Sequence, residues 1–432
     1  MKKIFLIFII SFFVSTGAFA ATMINDTEIE NVLTELVRPL THAADIPDAR
    51  LKINIVNSDE FNAFVSGGEE VFIYTGLLQQ IKSPTALQAV IAHELGHTLG
   101  GHMIQMSQRM SSEMTRTMII QALGVGLMVA GGNPALGAGV LVGSGSVAQQ
   151  SILSFSRDEE RIADDLGVDL MVKAKLNPNG FIEVFKQMNE MTGAAELKIN
   201  PNQINHPLTT ERLNNVKDKI KKLEYKYKSD KKLEEKQSAQ YALVRAKLTG
   251  YLDGYERTAE LYPSSDKSDA AIYARAIASM QAGNLEAAKT GTMTLISQTP
   301  KNPYFYELLG DIEYQYGHYD DSVIAYQKSL DLLNNNAPQI QTALALVLSE
   351  RKKPGDDNRA IELCKRAILI QPQPLTYWIL ARVYTGGKSD WAMAEYYNMI
   401  NKKLESKKYA TKAQKSLPKK SPEYLKSGDL LK

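Results

Sequence analysis

Of the 432 residues only one is a cysteine, Cys364. No disulfide can form within the chain, which for an exported protein fits a bacterial periplasm better than a eukaryotic exterior. Charge of one sign is missing as well. Fifty Lys and Arg stand against 48 Asp and Glu, for a net charge of +2. That balance supplies no field for nucleic acid, and no nucleic-acid motif occurs. One long stretch, residues 117–156, has no Lys, Arg, Asp or Glu at all. It invites a membrane reading, but Gly131-Gly132-Asn133-Pro134 breaks it. Each apolar half is shorter than the ~20 residues a spanning helix needs. A helical hairpin packed against its own domain is expected, with a face able to make peripheral contact with a membrane.

The length predicts two or three domains. Residues 1–20 read as a secretory signal: Lys2 and Lys3, an apolar run, then Ala18-Phe19-Ala20 before a cut. Residues 21–236 mix strand and helix patterns. LKINIV (51–56) alternates, VFIYTG (71–76) is β-branched and aromatic, and Gly67-Gly68 lies between them. These predict two strands joined by a glycine turn. A helix is predicted over 84–105, capped by Ser83, and a charged, solvated connector over 217–236. Residues 237–432 look all-helical and repetitive. Gly283 and Gly317 are 34 residues apart, and Ala288 aligns with Ser322. Leu309-Gly310, Tyr326 and Ser329 fall at packing positions, as do Ala360, Cys364 and Ala367, then Tyr377 and Leu380. A 34-residue period with small residues at the crossings is the tetratricopeptide signature. Such an array leaves a concave groove for a peptide or partner. Cys364 falls on a packing position and should be a buried small hydrophobe. The tail, 401–432, has ten Lys against three acids, a solvated end that can also meet an acidic partner.

The chemistry is concentrated in IAHELGHTLGGH, residues 91–102. His93 and His97, four apart on a helix, point about 40° apart and can bind one ion. Glu94 can reach a water at that ion and take its proton. A catalytic zinc usually has three protein ligands. His102 is one place short of the three-histidine pattern. On a continuing helix it would point about 140° away from His97, so it is expected at the surface or behind the ligands, with no necessary role. A better third ligand is Glu160 in SRDEERIADDLG, with Asp164 one turn on to orient a ligand histidine. By spacing alone this is also an ordinary acidic helix, in which Glu159 competes.

HELGH, then Arg157-x-x-Glu160-x-x-Ala163-Asp164, then His206-Pro207 with Arg212, resembles the zinc peptidases related to HtpX and the CAAX prenyl proteases. Asn62-Ala63-Phe64 also looks like the segment these proteins carry ahead of the active helix. The resemblance spans nearly the whole mature chain. It implies an α+β zincin-type domain, mostly helical with a small sheet, followed by an all-α tetratricopeptide domain. It implies one Zn²⁺ held by His93, His97 and Glu160, with Glu94 as the base. It implies a periplasmic endopeptidase of a Gram-negative bacterium that acts on misassembled outer-membrane β-barrel proteins. The repeats would then engage the outer-membrane assembly machinery. The strand Glu70, Val71, Phe72, Ile73, Tyr74 precedes the active helix as zincin edge strands do, and can take a substrate peptide at the sheet edge. His206 remains open between a fourth ligand, support for a developing oxyanion, and a structural role. Arg212 either pairs with a carboxylate at the site or solvates a helix. A different class also stays in view: a chaperone or adaptor of the assembly machinery whose protease site is latent or idle.

Overall fold

The computed structural model describes residues 22–66, 70–102, 156–193, 206, 209–223 and 230–432. The expected signal segment, the Gly67-Gly68 turn and all but the last residue of the uncharged 117–156 stretch lie outside these. The chain divides into two compact units, Met1–Leu248 and Thr249–Lys432. Among the described residues no helix is long and apolar enough to cross a membrane.

The first unit holds a four-stranded sheet in the order β1-β2-β4-β3. Strand β1 (Thr22–Ile24) runs antiparallel to β2 (Lys52–Asn57). Strand β2 runs parallel to β4 (Glu70–Tyr74), pairing Ile55 with Ile73. Strand β3 (Ala63–Ser66) runs antiparallel to β4 and stacks Phe64 on Phe72, ring centroids 4.6 Å apart. The expectation of two strands joined by a turn therefore needs correcting. Parallel neighbours cannot share a tight turn, and the residues between them make a third strand. Val71–Tyr74 are all buried because β4 has a strand on each side. It is an inner strand, so Glu70, Val71, Phe72, Ile73 and Tyr74 do not offer an edge. The edge at that side is β3.

Helix α1 (Thr27–Ala43) is capped by Asp26, which accepts from the Ile29 amide. Its buried Ile29, Val32, Leu33, Leu36, Val37 and Leu40 repeat at helical spacing. After a 3₁₀ turn (Asp48–Arg50) and the sheet, α2 (Thr75–Gln80) leads to α3 (Pro84–Leu99). Ser83 caps α3 as expected, and Pro84 sits in its first turn, where a missing N–H costs nothing. Most of α3 is buried, which makes it the central helix. It ends at Leu99, six residues before the predicted end, because Gly100 closes it and Gly101 turns left-handed at φ 68°. Against α3 packs α4 (Arg157–Lys173), started by a capping box between Ser156 and Glu159. Helices α5 (Gly180–Gly193) and α6 (Thr210–Leu223) cover the same region. The charged stretch expected as a solvated helical connector is helical over 217–223 and 231–236, and most of these residues are exposed. Residues 217–223 are the last turns of α6, where Ile220 is buried, and 231–236 open α7 (Lys231–Leu252). Helix α7 is tied to the first unit by Tyr241, whose hydroxyl donates to the Leu78 carbonyl, and by buried Lys247, 2.7 Å from Asp26.

In the second unit α8 (Gly254–Leu261) is followed by paired helices: α9 (Asp269–Gln281) with α10 (Leu285–Gln298), and α11 (Pro303–Tyr316) with α12 (Tyr319–Leu332). Then come α13 (Pro338–Arg351) with α14 (Asp356–Ile370), α15 (Pro374–Val383) with α16 (Gly387–Met399), and finally α17 (Lys403–Ser416) with α18 (Pro422–Asp429). First helices begin at 269, 303, 338 and 374, close to the 34-residue period. Each of these four turns carries a glycine at positive φ: Gly283, Gly317, Gly355 and Gly386. Within a pair, Tyr326 lies so close on Gly310 that a side chain there would meet its ring at 2.7 Å. Ala288, Ser322, Ala360, Cys364 and Ala367 are fully buried, as the spacing predicts. The whole chain is an α+β domain with a small sheet followed by an all-α tetratricopeptide array.

Candidate metal centre

Close contact between α3 and α4 builds the site. A Cβ on Gly96 would lie 2.4 Å from the Ala163 carbonyl oxygen, so only glycine lets the two backbones approach this far. That approach brings His93 and His97 of α3 opposite Glu160 and Asp164 of α4. His93, His97, Glu160 and His206 each turn one donor atom into a cluster whose members lie within 4.8 Å of one another. The two Nε2 atoms of His93 and His97 are 3.1 Å apart. Glu160 lies 3.5 Å from each of these nitrogens, and His206 Nδ1 lies 3.4 Å from His93 and 2.7 Å from Glu160. Two donors on one tetrahedral zinc at 2.0–2.1 Å stand about 3.3 Å apart. The donor set and its spacing therefore fit one such ion.

Behind the donors stands a second set of contacts. Asp164 Oδ1 is 2.9 Å from His93 Nδ1. Arg212 grips Asp164 with two bonds, Nε to Oδ2 at 2.8 Å and Nη2 to Oδ1 at 2.9 Å. Its third nitrogen, Nη1, is 2.6 Å from Glu160 Oε2. That oxygen is buried and its contact with Arg212 lacks hydrogen-bond geometry, so a lone pair remains for a cation. Arg212 also lies over the Phe185 ring at 5.5 Å. His102 is buried, and its Nδ1 is 3.0 Å from His97 Nδ1. One of the two must carry the proton. If His97 Nε2 is to offer a lone pair to the cluster, His97 Nδ1 is the donor and His102 the acceptor. Each α3 imidazole thus has its own backing group.

Electrostatics follow from burial and these partners. Burial disfavours the charged form of His93, but Asp164 and Glu160 outweigh it and raise its pKa to about 10. His97 is lowered to about 3, chiefly by burial, and is held neutral. Burial alone would raise Glu160, yet the facing His206, His93 and His97 hold it far below the usual carboxylate range. Asp164 is likewise lowered against its burial by Arg212 and His93. Glu94 moves the other way, raised by burial despite His206 and His93. It is a carboxylate of enhanced basicity, with Oε1 3.4 Å from His206 Nε2.

The structure brings His93, Glu94, His97, Glu160, Asp164, His206 and Arg212 into one place. It leaves Glu70–Tyr74 out of the cavity beside it, which Phe61, Asn62 and Ala63 line instead. His102 is not at the surface. The expected 140° rotation assumed a continuing helix, and the turn at Gly101 folds the ring back over Gly100 onto His97. Sequence reasoning also missed the wall supplied by α5. Its signal was legible, since Phe181, Val184, Phe185 and Met188 stand at i, i+3, i+4 and i+7.

Residues 24–220 match the profile of Peptidase family M48. This segment is similar to a peptidase M48 domain. The beta-barrel assembly-enhancing protease of Escherichia coli (strain K12) is 23% identical over 337 residues, 76% of this chain and 66% of that protein. The protein of the same name from Yersinia pestis is 23% identical over 378 residues, 85% of this chain and 74% of the relative. The chain thus spans just under two thirds of the Escherichia coli relative. A thermophilic TPR protein of Thermus thermophilus is similar to 44% of this chain, which covers 93% of that protein, at 19% identity and a TM-score of 0.26.

Proposed function

We propose that this M48 chain is a zinc endopeptidase of the Gram-negative periplasm that acts on misassembled outer-membrane β-barrel proteins. Residues 21–236 form its peptidase part. Residues 237–432 recruit clients or dock on the outer-membrane assembly machinery. One observation carries the reading: Glu94 is buried beside a cluster of three imidazoles and one carboxylate at zinc spacing, 3.4 Å from His206. An adaptor needs the cluster at most and has no use for Glu94. The names of the relatives support the outer-membrane side of the proposal.

His93, His97 and Glu160 would hold the ion. Bound there, zinc would supply a water of lowered pKa and polarise a carbonyl. Glu94 is placed to take a proton as general base and to return one to a leaving nitrogen. The peptide C–N bond breaks, a C–O bond forms, and the water's atoms end on the new carboxyl and amine. Asp164 and His102 stand behind the two rings, and Arg212 keeps Asp164 ionised. Substrate adds at the β3 edge, the outer strand next to the site. The direct test is cleavage of unfolded casein by the zinc-loaded protein and by Glu94→Gln. The variant should keep its zinc and lose about 10²–10⁴-fold in turnover. Equal turnover at equal zinc content would remove Glu94 from the chemistry, and no cleavage by zinc-loaded wild type or His206→Ala would return the protein to the adaptor class.

His206 presents Nδ1 to Glu160 and His93 at donor distance. We read it as a fourth ligand that closes the site until substrate displaces it, since a closed four-ligand zinc leaves no place for water. His206→Ala should then cleave casein faster than wild type. Slower cleavage would assign His206 to the oxyanion, and no change would leave it structural.

A further inference from the structure

The cavity beside the cluster has a lining of two kinds: His93, Glu94, Asp164, His206 and Arg212 are polar, whereas Val90 of α3 and Phe181, Val184, Phe185 and Met188 of α5 are apolar. Its volume is about 70 Å³. By a measure in which one water needs roughly 10–15 Å³, that is room for several waters or one side chain. Waters against such a wall would lack polar partners, whereas an apolar side chain would displace them and fill it. A Lys, Asp or Glu head seated there would give up water with no partner on the α5 side.

We infer that this cavity is the specificity pocket of the peptidase and takes an apolar side chain, Leu, Ile, Met or Phe, from the residue on the leaving-amine side of the cleaved bond. The side is fixed by Glu94. The carboxylate that returns a proton to the leaving nitrogen must lie next to the residue bearing that nitrogen, and Glu94 is part of the pocket wall. Buried, membrane-facing residues of an outer-membrane strand are of this class, and they are exposed only while the barrel is unfolded. Selecting them would confine cleavage to unassembled clients. The inference rests on the endopeptidase reading above.

Val184 is half-buried, so it can be changed at the pocket wall with less risk to the core than its buried neighbours. The test digests a denatured protein mixture with zinc-loaded full-length wild type, Val184→Phe, Val184→Ala and His206→Ala, and maps every cut by mass spectrometry. Wild type should favour Leu, Ile, Met and Phe over Gly, Asp and Lys by about tenfold or more at the new amino terminus. Val184→Phe fills the pocket and should shift the preference toward Ala and Ser. Val184→Ala enlarges it and should shift the preference toward Phe. Zinc content should be equal in all. Cutting with one unchanged distribution in wild type and both Val184 variants would overturn the pocket assignment and leave the peptidase standing. No cutting by wild type or by His206→Ala, both with zinc bound, would overturn the peptidase reading and the pocket with it.

Discussion

Arg212 is the residue on which the charges of the site balance. It holds Asp164 by two bonds and Glu160 by a third contact, all three groups being buried. Removing one partner of a buried ion pair leaves uncompensated charge and costs about 3–5 kcal/mol. Arg212→Ala should therefore lose about that much stability in chemical denaturation. Arg212→Lys keeps the charge but cannot make the forked contact, and should lose a smaller part of it. His102 makes a separate prediction. As the partner of His97 Nδ1 it sets the tautomer, and His102→Ala should weaken zinc binding about 10–100-fold in competition with a chelator. Unchanged affinity would show that His97 needs no backing. At this scale the sequence was readable where chemistry is local. His93, Glu94 and His97 lie within one turn, and Glu160 and Asp164 within another. His102 was left open between the surface and a place behind the ligands, because its position depends on where α3 stops, and one left-handed glycine decides for the latter.

Among the elements, the pairing of α3 with α4 matters most. Gly96 sits inside the HELGH motif, where it looks like filler, yet its hydrogen is what faces the Ala163 carbonyl. Gly96→Ala would force the helices apart, at a cost of roughly 1–3 kcal/mol. It would also spread His93 and His97 away from Glu160. Zinc content should fall in that variant although every ligand is kept. Retention of a full equivalent would show that the helices can yield without disturbing the ligands. The sheet was harder to read than the helices. Alternation picked out β2, and β-branched and aromatic residues picked out β4, but a glycine pair between two strands suggests a hairpin. Nothing local tells that β2 and β4 run parallel with β3 on the far side. Strand order depends on partners distant in the chain, and the sheet edge lies at β3 rather than β4 for that reason.

For the whole molecule, the repeats were the most legible part, because their period is written in glycines and small residues that recur at fixed spacing. The two units can be followed separately, since both tryptophans, Trp378 and Trp391, and the single thiol, Cys364, lie in the second. Cys364 is buried, and burial raises its pKa, so it should resist thiol reagents until that unit unfolds. A bound ion stabilises the unit that holds it, by about 4 kcal/mol at a thousandfold excess over its dissociation constant. Chelation should lower the melting of the first unit, seen by circular dichroism, and leave tryptophan fluorescence and Cys364 labelling unchanged. A matching fall in the tryptophan transition would mean that the two units unfold as one. The central claim is that one zinc sits among His93, His97, Glu160 and His206. X-ray absorption at the zinc edge of the full-length protein tests it most directly. The account predicts one zinc per chain with nitrogen and oxygen neighbours at about 2.0–2.1 Å, and one nitrogen fewer in His206→Ala. A shell of oxygens alone, or less than a tenth of an equivalent of zinc at saturation, would contradict it.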